Sequence, residues 1–516
     1  MFVPSAFNTA ISNFVKHEKG SLVVQADAGT GKTAQIEFDL RNTLTPEQLA
    51  DSIYLVFGKK NQLEFEGRMP KGARCSTMHS LGFRALRSTG MRFKLEGNKV
   101  RDIVKAMREW GDISAKHYDI YADGVVQLVA LAKGIVMQTK AEGQNFPGIT
   151  RDTDEAWFKL IEHYEVTFDQ TNGEEPDDLV GVNYARDVLA KSTSVALSRG
   201  VIDFNDQLYL PLLLPNAHFD KYGIIFIDEA QDTNLARRAL AKASLRKGGR
   251  VIAVGDRRQA IFGFTGADSA SMDMIRDEFN AKELPLSINY RCDAAIVRAA
   301  QTLSSTILPR PNAPEGIFES RDKWSATELL ASDGIICRNT APLLEVAYQL
   351  IAQGVPCRVV GRDIGKGLVR LIEILKPRTI EQLEEKLEHW YQSQVERLTK
   401  KGQEDKIQPV EDKRDSLNAI ILHRPANVES VGDLIGHITA MFQFDDVNPN
   451  IVTLSTIHRA KGLEWERVWV LNPSAMPSAW ARQAWQVEQE MNLKYVAYTR
   501  GKHACFLVEA EDFNKK

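Results

Sequence analysis

Six short, almost wholly apolar runs recur along this chain with helix-like stretches between them: SLVVQA (21–26), SIYLVF (52–57), YGIIFID (222–228), RVIAVGD (250–256), DGIICRN (333–339) and ERVWVLN (466–472). Strands this apolar are buried on both faces, the mark of a parallel sheet covered by helices on each side, so the fold class is α/β. The runs fall into two groups, before and after about residue 285, which predicts two doubly wound lobes, each interrupted by inserted sequence. A length of 516 residues excludes a lone small module, since roughly 150 residues suffice for one domain.

The first interruption, about 85–200, carries periodic apolar positions in VRDIVKAMREW and VVQLVALAKGIVMQ and then the acidic, turn-rich TNGEEPDD (171–178), which predicts a helical subdomain. In the second, about 367–445, TIEQLEEKLEHWYQSQVERLTKK (379–401) reads as a helix with a solvated face packed on a neighbour. The polar GQEDKIQPVEDKRD (402–415) that follows predicts an exposed loop. With 65 basic against 68 acidic residues the net charge is −3, so neither disorder nor a basic coat is expected. Five scattered cysteines without a C-x-x-C pair predict reduced thiols, with no structural metal or disulfide. No apolar run approaches membrane-spanning length and the amino terminus lacks a basic head and apolar core, so a cytoplasmic protein without membrane attachment is expected.

The segment ADAGTGKT (26–33) joins the strand SLVVQ to the apolar-periodic AQIEFDL, the strand–loop–helix setting of a phosphate cradle. Ala28, Gly29, Thr30 and Gly31 would offer backbone N–H groups, Lys32 would neutralise the β- and γ-phosphates, and the Thr33 hydroxyl would hold Mg²⁺. The alternative is a Gly-rich turn without nucleotide. In IIFIDEAQDTN (224–234) a buried strand ends at two carboxylates, of which Asp228 would bind the metal and Glu229 would orient and deprotonate a water. Gln259, just beyond a third buried strand, would reach the γ-phosphate or its water. Arg291 in LSINYR and Arg500 in YVAYTR would serve as arginine fingers from the second half of the chain.

Taken in order, ADAGTGKT, FGKK (57–60), STMHS (76–80), IDFNDQL (202–208), IDEAQDTN (227–234), VGDRRQAIFGFTGA (254–267), LSINYR (286–291), VTLSTIHRAKGLEW (452–465) and YVAYTR (495–500) resemble a UvrD/Rep-like superfamily 1A DNA helicase over nearly the whole chain. The resemblance implies two RecA-like P-loop lobes, parallel sheets flanked by helices, with ATP in the cleft and helical insertions 1B and a reduced 2B. The corresponding boundaries are 1–84 and 201–283 for lobe 1A, 85–200 for 1B, 284–366 and 446–516 for lobe 2A, and 367–445 for the 2B-like insertion. It implies that Tyr290 stacks on adenine and Glu464 meets the ribose, with Gly462 allowing close backbone approach. It also implies that Phe57, Lys59, His79, Phe262, Phe264, Thr456 and His458 track single-stranded DNA, helped by Lys60 and Lys461. Aromatic faces stack on bases without reading their identity, which suits a motor.

Several positions depart from the family pattern. Asn8 in PSAFNTAI stands where an adenine-reading Gln is usual, Ala26 replaces the first glycine of the loop, and Phe264-Thr265-Gly266-Ala267 replaces Trp-Arg-Gly-Ala. Arg459 stands where a small residue is common. Only about 160 residues separate Arg291 from Thr453, so the 2B-like insertion is short. GVPCRVVGRDIGKGL (354–368) reads as the strand and turn entering it, its basic residues capping the sheet or lining DNA. The expected function is a 3′-to-5′ single-stranded DNA motor that uses ATP and Mg²⁺ to unwind duplex at single-strand/duplex junctions. The alternative is a translocase that displaces proteins or serves a partner such as a nuclease or a replication or repair factor and unwinds poorly alone. An inactive scaffold is opposed by the presence of every catalytic side chain. A fused nuclease is disfavoured, because little sequence follows Arg500 and no spare carboxylate cluster is apparent.

Overall fold

In a computed structural model of the chain, all six apolar runs become inner strands of two six-stranded parallel sheets. The structure describes residues 4–138, 150–164, 166, 168, 176–261, 270–400, 404, 407–443, 450–481 and 484–514. The chain divides into two units, residues 1–26 with 31–286 and residues 27–30 with 287–516.

The first sheet contains β1 (Leu22–Ala26), β2 (Ser52–Val56), β3 (Cys75–Thr77), β4 (Tyr222–Ile227), β5 (Leu245–Gly255) and β6 (Lys282–Leu286), in the order β6-β1-β5-β4-β2-β3. Side chains alternate across it, as the two-residue period of a strand requires. Leu22, Val24, Tyr54, Val56, Phe226 and Ile252 pack on one face with α1 (Ala6–His17) and α2 (Lys32–Asn42). Val23, Ile53, Leu55, Ile225, Ile227 and Val251 pack on the other against the helices Met78–Arg87, Asp206–Leu213 and Leu235–Ser244. Burial of each such side chain stabilises by about 1.5–3 kcal/mol. The outermost strand β6 reads KELPL, with Lys282 and Glu283 exposed and Pro285 beside Gln25. A proline fits there because an edge strand can spare an N–H on its outer side.

The interval 85–200 holds the helices Lys99–Glu109, Ala115–Gly134, Asp154–His163 and Asp178–Arg199, which share the core of the sheet's second face. Of the acidic turn, residues 171–175 lie outside the described residues. Where these helices return to the sheet, two lysines and two aspartates are sealed from water. Lys133 Nζ lies 2.5 Å from Asp203 Oδ2, 2.6 Å from Asp206 Oδ1 and 3.0 Å from Ser192 Oγ. Lys99 Nζ lies 2.6 Å from Asp206 Oδ2. Charge balances within the cluster, which is what allows it to be buried.

The second sheet contains β7 (Ile317–Arg321), β8 (Gly334–Cys337), β9 (Cys357–Val360), β10 (Val452–Thr456), β11 (Trp465–Leu471) and β12 (Gly501–Val508), in the order β7-β12-β11-β8-β10-β9. Between β9 and β10 stand the helices Arg362–Leu375, Ile380–Lys400, Ile407–His423 and Val431–Met441. The charged helix buries Ile380, Leu383, Leu387 and Leu398 at helical spacing and keeps most of its charges on the other face, except that Arg397 is buried and donates to Gln394 Oε1 at 2.7 Å. The loop expected over 402–415 is corrected in its second half. Residues from Ile407 onward form a helix that buries Ile407, Leu417, Ile420 and Ile421. Pro409 falls in its first turn, where a missing N–H costs nothing. Residues 402, 403, 405 and 406 lie outside the described residues. Among the described residues no helix is long and apolar enough to cross a membrane.

Candidate functional site

In the first unit, β1 ends at Ala26 and α2 begins at Lys32, with Gly31 at its amino-terminal cap in the left-handed region (φ +79°). No side chain caps this helix end, so its leading N–H groups face the loop without a side-chain acceptor of their own. Such a terminus favours an anion. Lys32 Nζ lies 3.3 Å from Glu229 Oε2. Burial alone would depress the Lys32 ammonium, but Glu229, Asp256 and Asp228 outweigh it and hold the group charged, above its ordinary pKa.

Asp228 follows the last residue of β4, and its Oδ2 accepts hydrogen bonds from Tyr54 Oη (2.5 Å) and Thr33 Oγ1 (3.2 Å). Burial, then the adjacent Glu229, push its carboxyl above the ordinary range, against the opposing pull of Tyr54 and Lys32. Glu229 itself is held at φ +48°, a conformation costly for a residue with a Cβ. Its Oε2 accepts from Gln231 Nε2 at 2.6 Å, and Gln231 Oε1 accepts from the Asp256 N–H at 3.0 Å. Gln259 Nε2 donates to Asp256 Oδ2 at 2.8 Å. Lys32, Thr33, Asp228, Glu229 and Gln259, singled out in the sequence, are thus gathered beside β1, β4 and β5. Tyr54, Gln231 and Asp256 were missed. Asp256 and Gln231 flank residues that were chosen, so a search for polar groups at strand ends would have found them; Tyr54 sits inside an apolar strand and gave no signal.

Asn8 is fully buried on α1. Its Oδ1 accepts from Ser5 N (2.8 Å) and Ser5 Oγ (2.5 Å), and its Nδ2 donates to Gln35 Oε1 at 2.6 Å. The expected adenine reader is therefore engaged within the protein.

Phe57, just past β2, is 42% exposed, with the Arg237 guanidinium 4.6 Å above its ring. His79 meets the exposed Phe204 edge to face at 6.4 Å. Burial, then Arg237, lower the His79 pKa to about 4, so its ring is neutral near pH 7. Lys59 opens the helix Lys59–Glu66, its Nζ donating to Gln62 at 3.2 Å. Phe204 and Arg237 extend this aromatic and cationic surface and were not chosen from sequence. Phe262, Phe264, the replaced Thr265-Gly266-Ala267 and the Lys60 side chain lie outside the described residues.

In the second unit, which includes residues 27–30, the Ala28 N–H donates to Tyr495 Oη (2.9 Å) and the Ala28 carbonyl accepts from Asn289 Nδ2 (2.7 Å). Thr30 Oγ1 donates to the Asp27 carbonyl. Gly29 stands at φ +67°, and a Cβ there would lie 2.6 Å from Asn289 Nδ2. Tyr290 is 39% exposed. Arg291 Nε donates to Glu464 Oε2 at 2.8 Å, and Lys502 reaches Glu464 Oε1 at 3.2 Å. Partial burial would raise the Glu464 carboxyl, but these two cations hold it below its ordinary range. Arg500 is buried, donating to the carbonyls of Val496 (2.9 Å) and Leu463 (3.2 Å) and to Thr499 Oγ1 (3.2 Å). Thr456 ends β10, and His458, on the turn Ile457–Ala460, has its pKa pushed to about 3 by burial, then Arg338. Gly462 (φ +85°) has open space where a Cβ would stand. Arg459 is paired with Asp363 at 2.8 Å.

A family profile described as the UvrD/REP helicase N-terminal domain matches residues 7–280, and one described as the UvrD-like helicase C-terminal domain matches residues 371–512. The chain is 23% identical over 525 residues to the F-box DNA helicase protein 1 of Schizosaccharomyces pombe, covering 94% of this chain and 55% of that one. It is 27% identical over 319 residues to the ATP-dependent DNA helicase PcrA of Bacillus subtilis, 57% of this chain and 39% of that one. Against a probable DNA helicase II homolog of Mycoplasma genitalium it is 27% identical over 304 residues, 56% and 41% of the two chains. The chain thus spans about half the length of these relatives or less.

Proposed function

The chain belongs to the UvrD/Rep-like helicase family, and from that membership we propose that it is an ATP- and Mg²⁺-dependent motor that moves 3′ to 5′ on single-stranded DNA and separates duplex ahead of it. The observation that carries the reading is the gathering of Lys32, Thr33, Asp228 and Glu229 around the uncapped start of α2, with a hydrogen-bonded line from Glu229 through Gln231 and Asp256 to Gln259. A hydroxyl and a carboxylate suit a hard cation such as Mg²⁺, and the helix terminus with Lys32 suits a polyphosphate. When bound, the metal nucleotide supplies a phosphoryl group whose transfer needs little from the protein beyond positioning and charge.

Thr33 and Asp228 would hold the cation and Lys32 the phosphate charge. Glu229, anchored by Gln231, would take the proton of the attacking water, and Gln259 would pass the state of the site onward through Asp256. Arg291 and Arg500 are proposed to supply positive charge to the transferring group, and Tyr290 and Glu464 to meet base and ribose. Phe57, Lys59, His79, Phe262, Phe264, Thr456 and His458 are proposed to hold the DNA strand. The relatives' helicase names support DNA as the track.

The test is steady-state ATP hydrolysis with and without single-stranded DNA, beside unwinding of duplexes carrying a 3′ or a 5′ tail. Stimulated hydrolysis with unwinding from the 3′ tail alone is expected; no hydrolysis would overturn the proposal. The short interval between β9 and β10 favours a second reading, a translocase that displaces proteins or serves a nuclease or a replication or repair factor. In that case stimulated hydrolysis and streptavidin displacement would occur without unwinding.

A further inference from the structure

The buried amide of Asn8 bears on which nucleotide the motor consumes, an inference that rests on the reading of the chain as a nucleotide-driven motor. Recognising adenine through a side-chain amide takes both of its halves, an oxygen to accept from the N6 amino group and an N–H to donate to a ring nitrogen. Both halves of Asn8 are engaged within the protein. The Oδ1 already accepts two hydrogen bonds, from the N–H and the hydroxyl of Ser5, where Asn8 closes the capping box of α1. One N–H of Nδ2 is committed to Gln35 Oε1 at 2.6 Å, and the residue has no exposed surface.

Gln35 is committed in turn. Its Nε2 donates to Ser12 Oγ at 3.1 Å and to Asp39 Oδ2 at 2.8 Å. Asp39 also accepts from Ser12 Oγ (2.5 Å) and Thr43 Oγ1 (2.9 Å). These side chains form a closed polar network between α1 and α2. Turning Asn8 toward a base would strip the acceptor from the Ser5 N–H, which is partly buried, and the donor from Gln35, which is fully buried. Asparagine is also one methylene shorter than glutamine, so it cannot keep its cap and reach outward at once.

We propose that Asn8 is a structural cap and not a base reader, and that the motor accepts nucleoside triphosphates with little regard to the base. Sites built to hydrogen-bond a polar group discriminate by factors on the order of 10⁴–10⁵, whereas apolar packing alone gives far smaller ratios. Stacking, the role proposed for the exposed Tyr290, tolerates every base because each has a π-face. The kcat/KM values for ATP, GTP, CTP and UTP are therefore expected to lie within about tenfold of one another.

The experiment uses the full chain with Mg²⁺ and excess oligo(dT), measuring hydrolysis of the four triphosphates and, separately, their displacement of a fluorescent N-methylanthraniloyl ADP. Ratios within tenfold in both assays support the proposal; a larger preference for ATP in either overturns it. Asn8→Ala should lower the melting temperature yet leave the ATP-to-GTP ratio of displacement within threefold of the parent. A folded variant with a larger change would show that Asn8 reads the base after all. Equal displacement by all four without hydrolysis of any would sink the motor reading and leave this one standing. No displacement by any would sink both.

Discussion

Replacing Lys133 by methionine tests whether the sealed cluster at the root of the inserted helices holds them to the sheet. The lysine sits with no exposed surface between Asp203 and Asp206, at 2.5 and 2.6 Å, and donates to Ser192. Methionine matches its stem and leaves no large cavity, so packing changes little and the electrostatic loss dominates. Asp206 then keeps Lys99 at 2.6 Å, while Asp203 loses the lysine it was paired with. Removing one partner of a buried pair costs about 3–5 kcal/mol, because the other is left charged and unpaired. With a urea slope of roughly 2 kcal/mol/M, a loss of about 4 kcal/mol moves the midpoint by about 2 M. Urea unfolding followed by tryptophan fluorescence reads this, and hydrogen exchange should show protection falling first in Ala115–Gly134 and Asp178–Arg199. In the pair Lys133→Met with Asp203→Asn, removal of the stranded carboxylate should recover about 1–3 kcal/mol relative to the sum of the singles. A single-variant loss under 1 kcal/mol, or strict additivity in the pair, would refute the argument that the cluster is a balanced unit.

Glu229→Gln should lower DNA-stimulated kcat by roughly 10²–10⁴ while leaving DNA affinity near the parent's, as read by phosphate release and filter binding. Phe57→Ala should weaken single-stranded DNA binding by about 1–3 kcal/mol, measured by fluorescence anisotropy, with folding unchanged because the ring is 42% exposed. Gly82→Ala places a Cβ 1.9 Å from the Gln207 carbonyl, so a stability loss of about 1–3 kcal/mol is expected in urea melts. His79 has a native pKa near 4 against an ordinary 6.5, so between those values the unfolded chain binds more protons. Stability should therefore fall as pH drops through that window, and His79→Gln should flatten the slope by up to one proton in urea melts taken from pH 7 to 4.

Burial decided how much of this could be read from sequence. The six apolar runs announced themselves because inner strands of a parallel sheet need two apolar faces, and all six lie inside the sheets. The edge strands β6 and β7, KELPL and IFESR, have water on much of their surface, so their composition resembles a loop's. β10, VTLST, is fully buried yet rich in hydroxyls, which hid it equally well. At the site, Lys32, Thr33, Asp228 and Glu229 were legible because the chemistry restricts those residue types at strand ends. Tyr54 was not, because its role lies in its hydroxyl alone and its ring belongs to the core. Asn8 was named from its place in the family motif, where Gln is usual, and the positions of Ser5 and Gln35 add what the sequence does not carry, the hydrogen bonds it makes within the protein.

The composition of the outermost strands also governs how copies of this protein behave beside one another. Open parallel sheets form from segments far apart in the chain, so their margins stay uncovered while the interior assembles and can capture a neighbour. At one margin Pro285 removes a donor and Lys282 and Glu283 add exposed charge; at another, Glu319 and Ser320 face water. Such margins are poor templates for an incoming strand. Along these two margins, copies crowded together are then less prone to zip edge to edge, a tolerance set by side chains on the outermost strands.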